Sequence, residues 1–284
     1  NQAKELNVAV AGSELVGLIP LEAMLIAANY YIEKENLLIV DEEQKIKLVV
    51  DKLGLNSIAP FDPKKRIIEY MIEEESNEPL ADMSLRSFIK SVAARTSAPG
   101  GGSVSAAVAA MGAGLACMVA QLTYGVRKFE NVDKEIRSVI PALYEASHAL
   151  IPMIDADTNA FNDYMEAMRL PKDTEEEKKI RSQAMQNGLK KAINIPLTTI
   201  KLADAAWDSF VELAKYGNIA SRSDMQIGAR ALETGIWGAY KNVLINLPVI
   251  KDEEYKAEKI SESEAYVKRA QEKCKEILEI LGGR

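Results

Sequence analysis

The chain has 284 residues, 48% apolar and 27% charged, with a net charge of −7. That balance belongs to a soluble globular protein rather than a disordered one, and the length suffices for one large domain or two ordinary ones. The negative charge and the lack of a basic stripe argue against a nucleic-acid partner. Two cysteines, Cys117 and Cys274, are too few and too far apart for a disulfide framework or a zinc site, and they read as reduced thiols of a cytoplasmic protein. The single histidine, His148, excludes a His-rich metal site and argues against a Ser-His-Asp relay. Lys4 and Glu5 interrupt the N-terminus before any apolar run, so no secretory signal is read there.

Residues 6–10 read as a strand, followed by a turn with Gly12 and Gly17 as breakers. Helical patterns follow over 21–33, after Pro20, and over 42–53, stopped at Gly54. Residues 1–72 therefore form a small α/β piece. An acidic, proline-ended stretch, 73–82, reads as a linker.

From 83 to 284 no strand pattern is present. Ser84 is a candidate N-cap for a helix to 94, and helical spacing recurs over 104–122, 134–150, 154–168, 174–216, 224–247 and 253–281. Pro196 is expected to kink the helix that contains it. This part is predicted as a mainly α bundle of long helices.

Residues 96–126 contain no Lys, Arg, Asp or Glu and open on Gly100-Gly101-Gly102-Ser103. A phosphate loop needs Lys-Ser/Thr after its last glycine, and the dinucleotide-binding glycine spacing is absent. The run exceeds the roughly 20 residues that cross a bilayer, but Ala, Gly and Ser dominate it. It is predicted as the central helix of the bundle, with no membrane span. At its start, free backbone N–H groups can hold an anion or a carbonyl oxygen, or the glycines can form a plain turn.

Two polar features interrupt apolar helix faces. Leu150, Ile154, Asp157, Phe161, Tyr164 and Met168 fall at steps of three and four, which puts the Asp157 carboxylate inside an apolar stripe. Such a group is either paired structurally or tuned for chemistry. Further on, Gly235, Ala239, Asn242 and Asn246 make a stripe of small residues and amides: a close helix seam or a set of ligand donors. Ser221 and Asp224, in "NIASRSD", fit a capping box with Asp in place of the usual Glu or Gln.

Four segments, "TSAPGGGSVSAAVAAMGAGLACMVAQLTYGVRKFE", "DADTNAFNDYMEAMRLPKDTEEEK", "GNIASRSDMQIGARALETGIWGAYKNVLINL" and "IKDEEY", together resemble the cyclodeaminase domain of the formiminotransferase-cyclodeaminase family over about 82–284. "AGSELVGLIPLEAMLIAANYYIEKENL" with "EEQKIKLVVDKLGLNSIAPFDPKKRIIEY" resembles the C-terminal subdomain of the transferase half. The front of that half, with the family's catalytic histidine, is not in the sequence; His148 does not replace it, and transferase activity is not expected.

The resemblance implies a cytoplasmic lyase of one-carbon metabolism and histidine degradation. It closes 5-formimino-tetrahydrofolate to 5,10-methenyl-tetrahydrofolate and releases ammonia, with no metal or separate cofactor. The folate substrate carries an anionic, possibly polyglutamylated tail, and the protein is expected as a homodimer or higher homo-oligomer, with its site near a dimer interface. Asp157 and Asp224 are the expected carboxylates, one for proton transfer and one for charge stabilisation, with Ser223 beside them. Asn218, Ser223, Asn242 and Asn246 would orient the pterin and formimino group. Gly100, Gly101, Gly102 and Ser103 would supply donors, and Lys128 and Lys172 would hold the folate tail. The whole reading puts Asp157 and Asp224 together beside the triple glycine. The alternatives are a methenyltetrahydrofolate cyclohydrolase and a non-catalytic folate-binding or oligomerisation module.

Overall fold

The computed structural model describes residues 2–10, 12–72 and 78–284. The chain divides into two compact units, Asn1–Asn77 and Glu78–Arg284.

The first unit contains α1 (Gln2–Glu5), α2 (Leu21–Glu35), α3 (Glu42–Leu53) and the single turns α4 (Pro63–Arg66) and α5 (Ile68–Met71). The Asp41 carboxylate accepts the Gln44 N–H at 2.8 Å and starts α3, and Gly54, at φ 62°, ends it. Met24 and Ala28 of α2 close on Ile46, Val49 and Val50 of α3, with Leu55 and Ile67, to make the core. The strand expected at 6–10 does not form. Leu6, Val8 and Val10 are exposed, and the β contact among the described residues is one parallel bridge, Ile19 to Ile67. Apolar alternation makes a strand only where a ladder partner takes its N–H and C=O groups.

The second unit is the helical bundle: α6 (Leu85–Val92), α7 (Gly101–Thr123), α8 (Asp133–Ala149), α9 (Met153–Arg169), α10 (Glu175–Asp204), α11 (Trp207–Tyr216), α12 (Arg222–Asn246) and α13 (Glu253–Gly283). Of the expected linker, 73–77 lies outside the described residues, while Leu80 packs into this unit's core. Ser84 caps α6 as expected, its Oγ accepting Ser87 N–H at 3.2 Å. Thr174 and Glu177 form a reciprocal capping box that starts α10. The helix read over 174–216 continues past Pro196 and is divided at Ala205–Ala206 into α10 and α11. Ser221 stands at the start of α12 without a side-chain capping bond, so the capping box proposed for it with Asp224 is not made.

The uncharged run forms α7, held against α8, α9 and α12. Among the described residues it is the one helix long and apolar enough to cross a membrane, and 56% of its most apolar window is buried inside the bundle. Its small residues let α12 approach backbone to backbone. A Cβ on Gly112 would lie 2.6 Å from Leu232 N, and one on Gly235 would lie 2.6 Å from Ala109 Cβ and 2.8 Å from Ser105 O. The two helices run antiparallel: Gly101 faces Asn242, Gly112 faces Leu232, and Asn218 N–H donates to Thr123 Oγ1 at 2.9 Å. Neither helix can yield locally, so Gly235→Ala should destabilise the bundle by about 1–3 kcal/mol, as overpacked cores do. A urea-denaturation midpoint equal to that of the parent would contradict this.

Both cysteines are buried and free, as expected. Burial pushes the Cys117 thiol up, against a lowering hydrogen bond from Gln121. Burial, with Glu233 beside it, pushes Cys274 up to about 12. Both stay protonated at neutral pH.

Candidate functional site

The N-terminus of α7 has no capping side chain of its own; Gly100 occupies the cap position. Asp157 of α9 comes across instead. Its Oδ2 accepts the Ser103 N–H at 3.2 Å, and a side chain on Gly102 would fall on its carboxylate. The glycine is therefore what lets the carboxylate reach the helix end, where the dipole and unpaired N–H groups favour an anion. Ser103 is fully buried; its Oγ donates to Ile154 O at 2.7 Å and lies 3.2 Å from Thr158 Oγ1. Burial raises the Asp157 pKa from its ordinary value, and the Ser103 N–H only partly opposes the rise. A partly buried carboxyl of raised pKa, at a helix N-terminus, holds its proton more readily than an exposed one and is suited both to take up a proton and to return it.

Asn242 and Asn246 reach the same end of the bundle from α12. A Cβ on Gly101 would sit 3.3 Å from Asn242 Nδ2. Asn242 Nδ2 donates to Gly238 O at 2.9 Å, and Asn246 Nδ2 donates to Asn242 O at 3.0 Å and to Ala192 O of α10 at 3.2 Å. The amide stripe is thus bonded within the helix seam through its N–H groups, which fixes the orientation of its carbonyls.

Gly100, Gly101, Gly102, Ser103, Asp157, Asn242 and Asn246 are brought together. Asp224, Ser223, Asn218 and Lys128 are not among them. Asn218 meets Thr123 at the far end of α7, and Asp224 opens α12 next to it. At about 1.5 Å rise per residue, the α12 backbone between Asp224 and Asn242 is about 27 Å long. The expectation that Asp157 and Asp224 meet beside the triple glycine therefore fails within one chain, because the antiparallel pairing of α7 and α12 sends them to opposite ends. Lys128 is exposed near the Asp224 end, with its ammonium 5.4 Å from the Phe129 ring centre. Lys172 is exposed in the connection between α9 and α10, beyond the end of α9 that lies away from Asp157.

Asp155 belongs to this neighbourhood and was missed. It is 4% exposed and accepts the N–H groups of Leu80 and Ala81 at 2.9 and 3.0 Å, pinning the entry to α6. In "DADTN" the apolar spacing selects Asp157 but says nothing of Asp155, whose partners lie 74 and 75 residues away. Thr158 had no signal beyond its place next to Asp157.

One face of α7 is left uncovered. Val104, Val108, Met111, Met118 and Leu122 lie along it, while Leu115 turns toward Gly228 of α12, and Met111 and Leu122 are each 54% exposed. With α6 and the start of α9, the first half of this stripe walls an apolar groove of about 710 Å³ that includes Leu85, Phe88, Ile89 and Ile154. A second hollow of about 520 Å³ lies over the other half, between Gly114–Leu122 of α7 and Tyr144–His148 of α8.

A mainly α bundle with a half-buried carboxylate at the N-terminus of its central helix is the architecture of this chain. Residues 84–265 match the family model described as formiminotransferase-cyclodeaminase, and residues 1–73 match the formiminotransferase domain. The chain belongs to the formiminotransferase-cyclodeaminase family. It is 51% identical over 284 residues to formimidoyltransferase-cyclodeaminase of Dictyostelium discoideum and 48% identical to that of Sus scrofa; it spans 52% of the length of each, and these matches cover 99% and 100% of this chain. It is 31% identical to methenyltetrahydrofolate cyclohydrolase of Methylorubrum extorquens, over 66% of this chain and 90% of that protein. The crystal structure of formiminotetrahydrofolate cyclodeaminase from Thermotoga maritima superposes with a TM-score of 0.60 at 32% identity, covering 70% of this chain and 96% of that one.

Proposed function

We propose that residues 78–284 form a formimidoyltetrahydrofolate cyclodeaminase, which closes 5-formimino-tetrahydrofolate to 5,10-methenyl-tetrahydrofolate and releases ammonia. Its place is in cytoplasmic one-carbon metabolism and histidine breakdown, and it uses no metal or separate cofactor. The observation that carries the reading is Asp157, a carboxyl of raised pKa at the N-terminus of the central helix. In the reaction the formimino group enters as its protonated amidinium; N10 attacks its carbon, the N10 proton leaves, and the C–N bond to the resulting amino nitrogen breaks as that nitrogen takes up a proton and departs as ammonia. The proton lost at N10 is the one gained by the departing ammonia, so a single carboxylate can accept it and return it. Such general acid–base help is worth roughly 100- to 10,000-fold. The product is a cation, which a second carboxylate stabilises.

That second carboxylate is Asp224 of a second copy. A homodimer pairing the exposed α7 stripes antiparallel across a two-fold axis lays the start of each α7 against the end of the other. It places one protomer's Asp157, Asn242 and Asn246 next to the partner's Asp224, Ser223, Asn218 and Lys128, making two equivalent sites. The heptad-spaced apolar stripe and the separation of the polar groups to its two ends support this arrangement. Lys128, which then lies beside the folate, suits an anionic tail; Lys172 remains a second cation for a longer one.

The similarity to the Methylorubrum extorquens cyclohydrolase favours one other reading, hydrolysis of the methenyl bridge. Following methenyl absorbance and ammonia together separates the two. The cyclodeaminase produces both from 5-formimino-tetrahydrofolate in equal amounts. Consumption of methenyl-tetrahydrofolate with no ammonia from the formimino substrate contradicts the proposal, and folate binding without turnover of either marks a non-catalytic module.

A further inference from the structure

The hollow on the second half of the α7 stripe is unlike the apolar groove beside it. Its floor, Gly114, Cys117 and Met118, is small or apolar, but its edge carries Gln121, Tyr144 and His148. The two aromatic rings are stacked, with centroids 3.8 Å apart and planes 26° from parallel. His148 Nδ1 lies 2.9 Å from the Tyr144 carbonyl oxygen and 3.1 Å from Ser147 Oγ. A nitrogen facing a carbonyl must carry the hydrogen, so the neutral ring keeps Nε2 as an acceptor. Gln121 Nε2 donates to Cys117 Sγ at 3.2 Å, which uses one of its two N–H groups and sets the amide oxygen on the other side as an acceptor. The hollow is therefore lined by a stacked aromatic pair, by small and apolar residues and by two side chains that carry acceptors. That set matches a planar heteroaromatic ring whose edge is rich in N–H donors.

We infer that the hollow between Gly114–Leu122 and Tyr144–His148 seats the aminopyrimidinone ring of the pterin, with His148 and Gln121 accepting from its 2-amino and N3–H groups. This deepens the proposed function and rests on it. In the antiparallel dimer this half of α7 faces the beginning of the partner's α7, so the seated ring presents its N5 side to the partner's Asp157. Gly114 and Ser147 also line the apolar groove, so the pterin seat and the dimer groove are continuous.

The test uses the full chain, with 5-formyl-tetrahydrofolate as a stable probe in titration calorimetry and 5-formimino-tetrahydrofolate in steady-state assays. The variants are Tyr144→Leu and His148→Leu, with His148→Gln retaining an acceptor but no ring. Losing the stack should weaken probe binding about tenfold in each Leu variant and raise KM by a similar factor, with kcat within about twofold and the dimer mass unchanged. His148→Gln should fall between wild type and His148→Leu. Probe affinity unchanged in both Leu variants, in a wild-type protein that releases ammonia, overturns the pterin seat and leaves the cyclodeaminase reading standing. A fall in kcat with unaltered KM overturns it also. A wild-type protein that neither binds the probe nor turns over overturns both.

Discussion

Asp157→Asn is expected to abolish ammonia release, by roughly the 100- to 10,000-fold that general acid–base catalysis supplies, while leaving the bundle folded. The amide fits the same space beside Gly102 and its oxygen still accepts the Ser103 N–H, so α7 keeps its cap. What it loses is the proton. Its effect on stability should have the opposite sign. Burial holds the Asp157 pKa above its unfolded value, so the folded wild type binds more protons than the unfolded chain between those two values. Wild-type stability is therefore complete below the unfolded pKa, about 3.9, and falls as pH rises through the folded one. The asparagine variant escapes that loss. It should melt higher than wild type at neutral pH, with the difference vanishing near pH 3. The same shift should move the acid limb of the wild-type rate upward from the ordinary carboxylate value. Wild-type turnover in the variant would remove Asp157 from the mechanism, and a variant less stable at neutral pH would contradict the burial argument.

The second large effect is expected on the α7 stripe. Met111 lies near the middle of the apolar face and is 54% exposed, so in a lone protomer an aspartate there would sit in water at little cost. In the proposed antiparallel dimer a two-fold axis would pass close to this position and bring two such charges together in an apolar seam. Met111→Asp should therefore convert the dimer to a monomer by light scattering and remove activity with it, while circular dichroism stays helical. An active dimer after the substitution would place the interface elsewhere.

Much of this arrangement could be read before any coordinates. The uncharged run could only be a core helix or a membrane span, and its excess of Ala, Gly and Ser pointed to close helix packing, which Gly112 and Gly235 make against α12. Asp157 stood out because a carboxylate interrupting a three-four apolar stripe needs a reason. The direction of the helices was not legible. Whether Asp224 shares an end with Asp157 depends on α7 and α12 running antiparallel, and no local pattern encodes the sense in which two distant helices pack. The same limit hid Asp155, whose partners are backbone N–H groups and leave no trace in side-chain identity. The strand expected at 6–10 failed for a related reason, since pairing rather than alternation makes a strand.

The central claim is that one protomer's Asp157 works with the other's Asp224. Mixing two inactive variants tests it directly. Asp157→Asn and Asp224→Asn proteins, unfolded together in equal amounts and refolded, give half heterodimers at random, each with one intact site of two. Recovery of about a quarter of wild-type ammonia release is the expected result for such a symmetric pairing. Mixtures as inactive as the separate variants, despite heterodimers detected by native mass spectrometry, would contradict it.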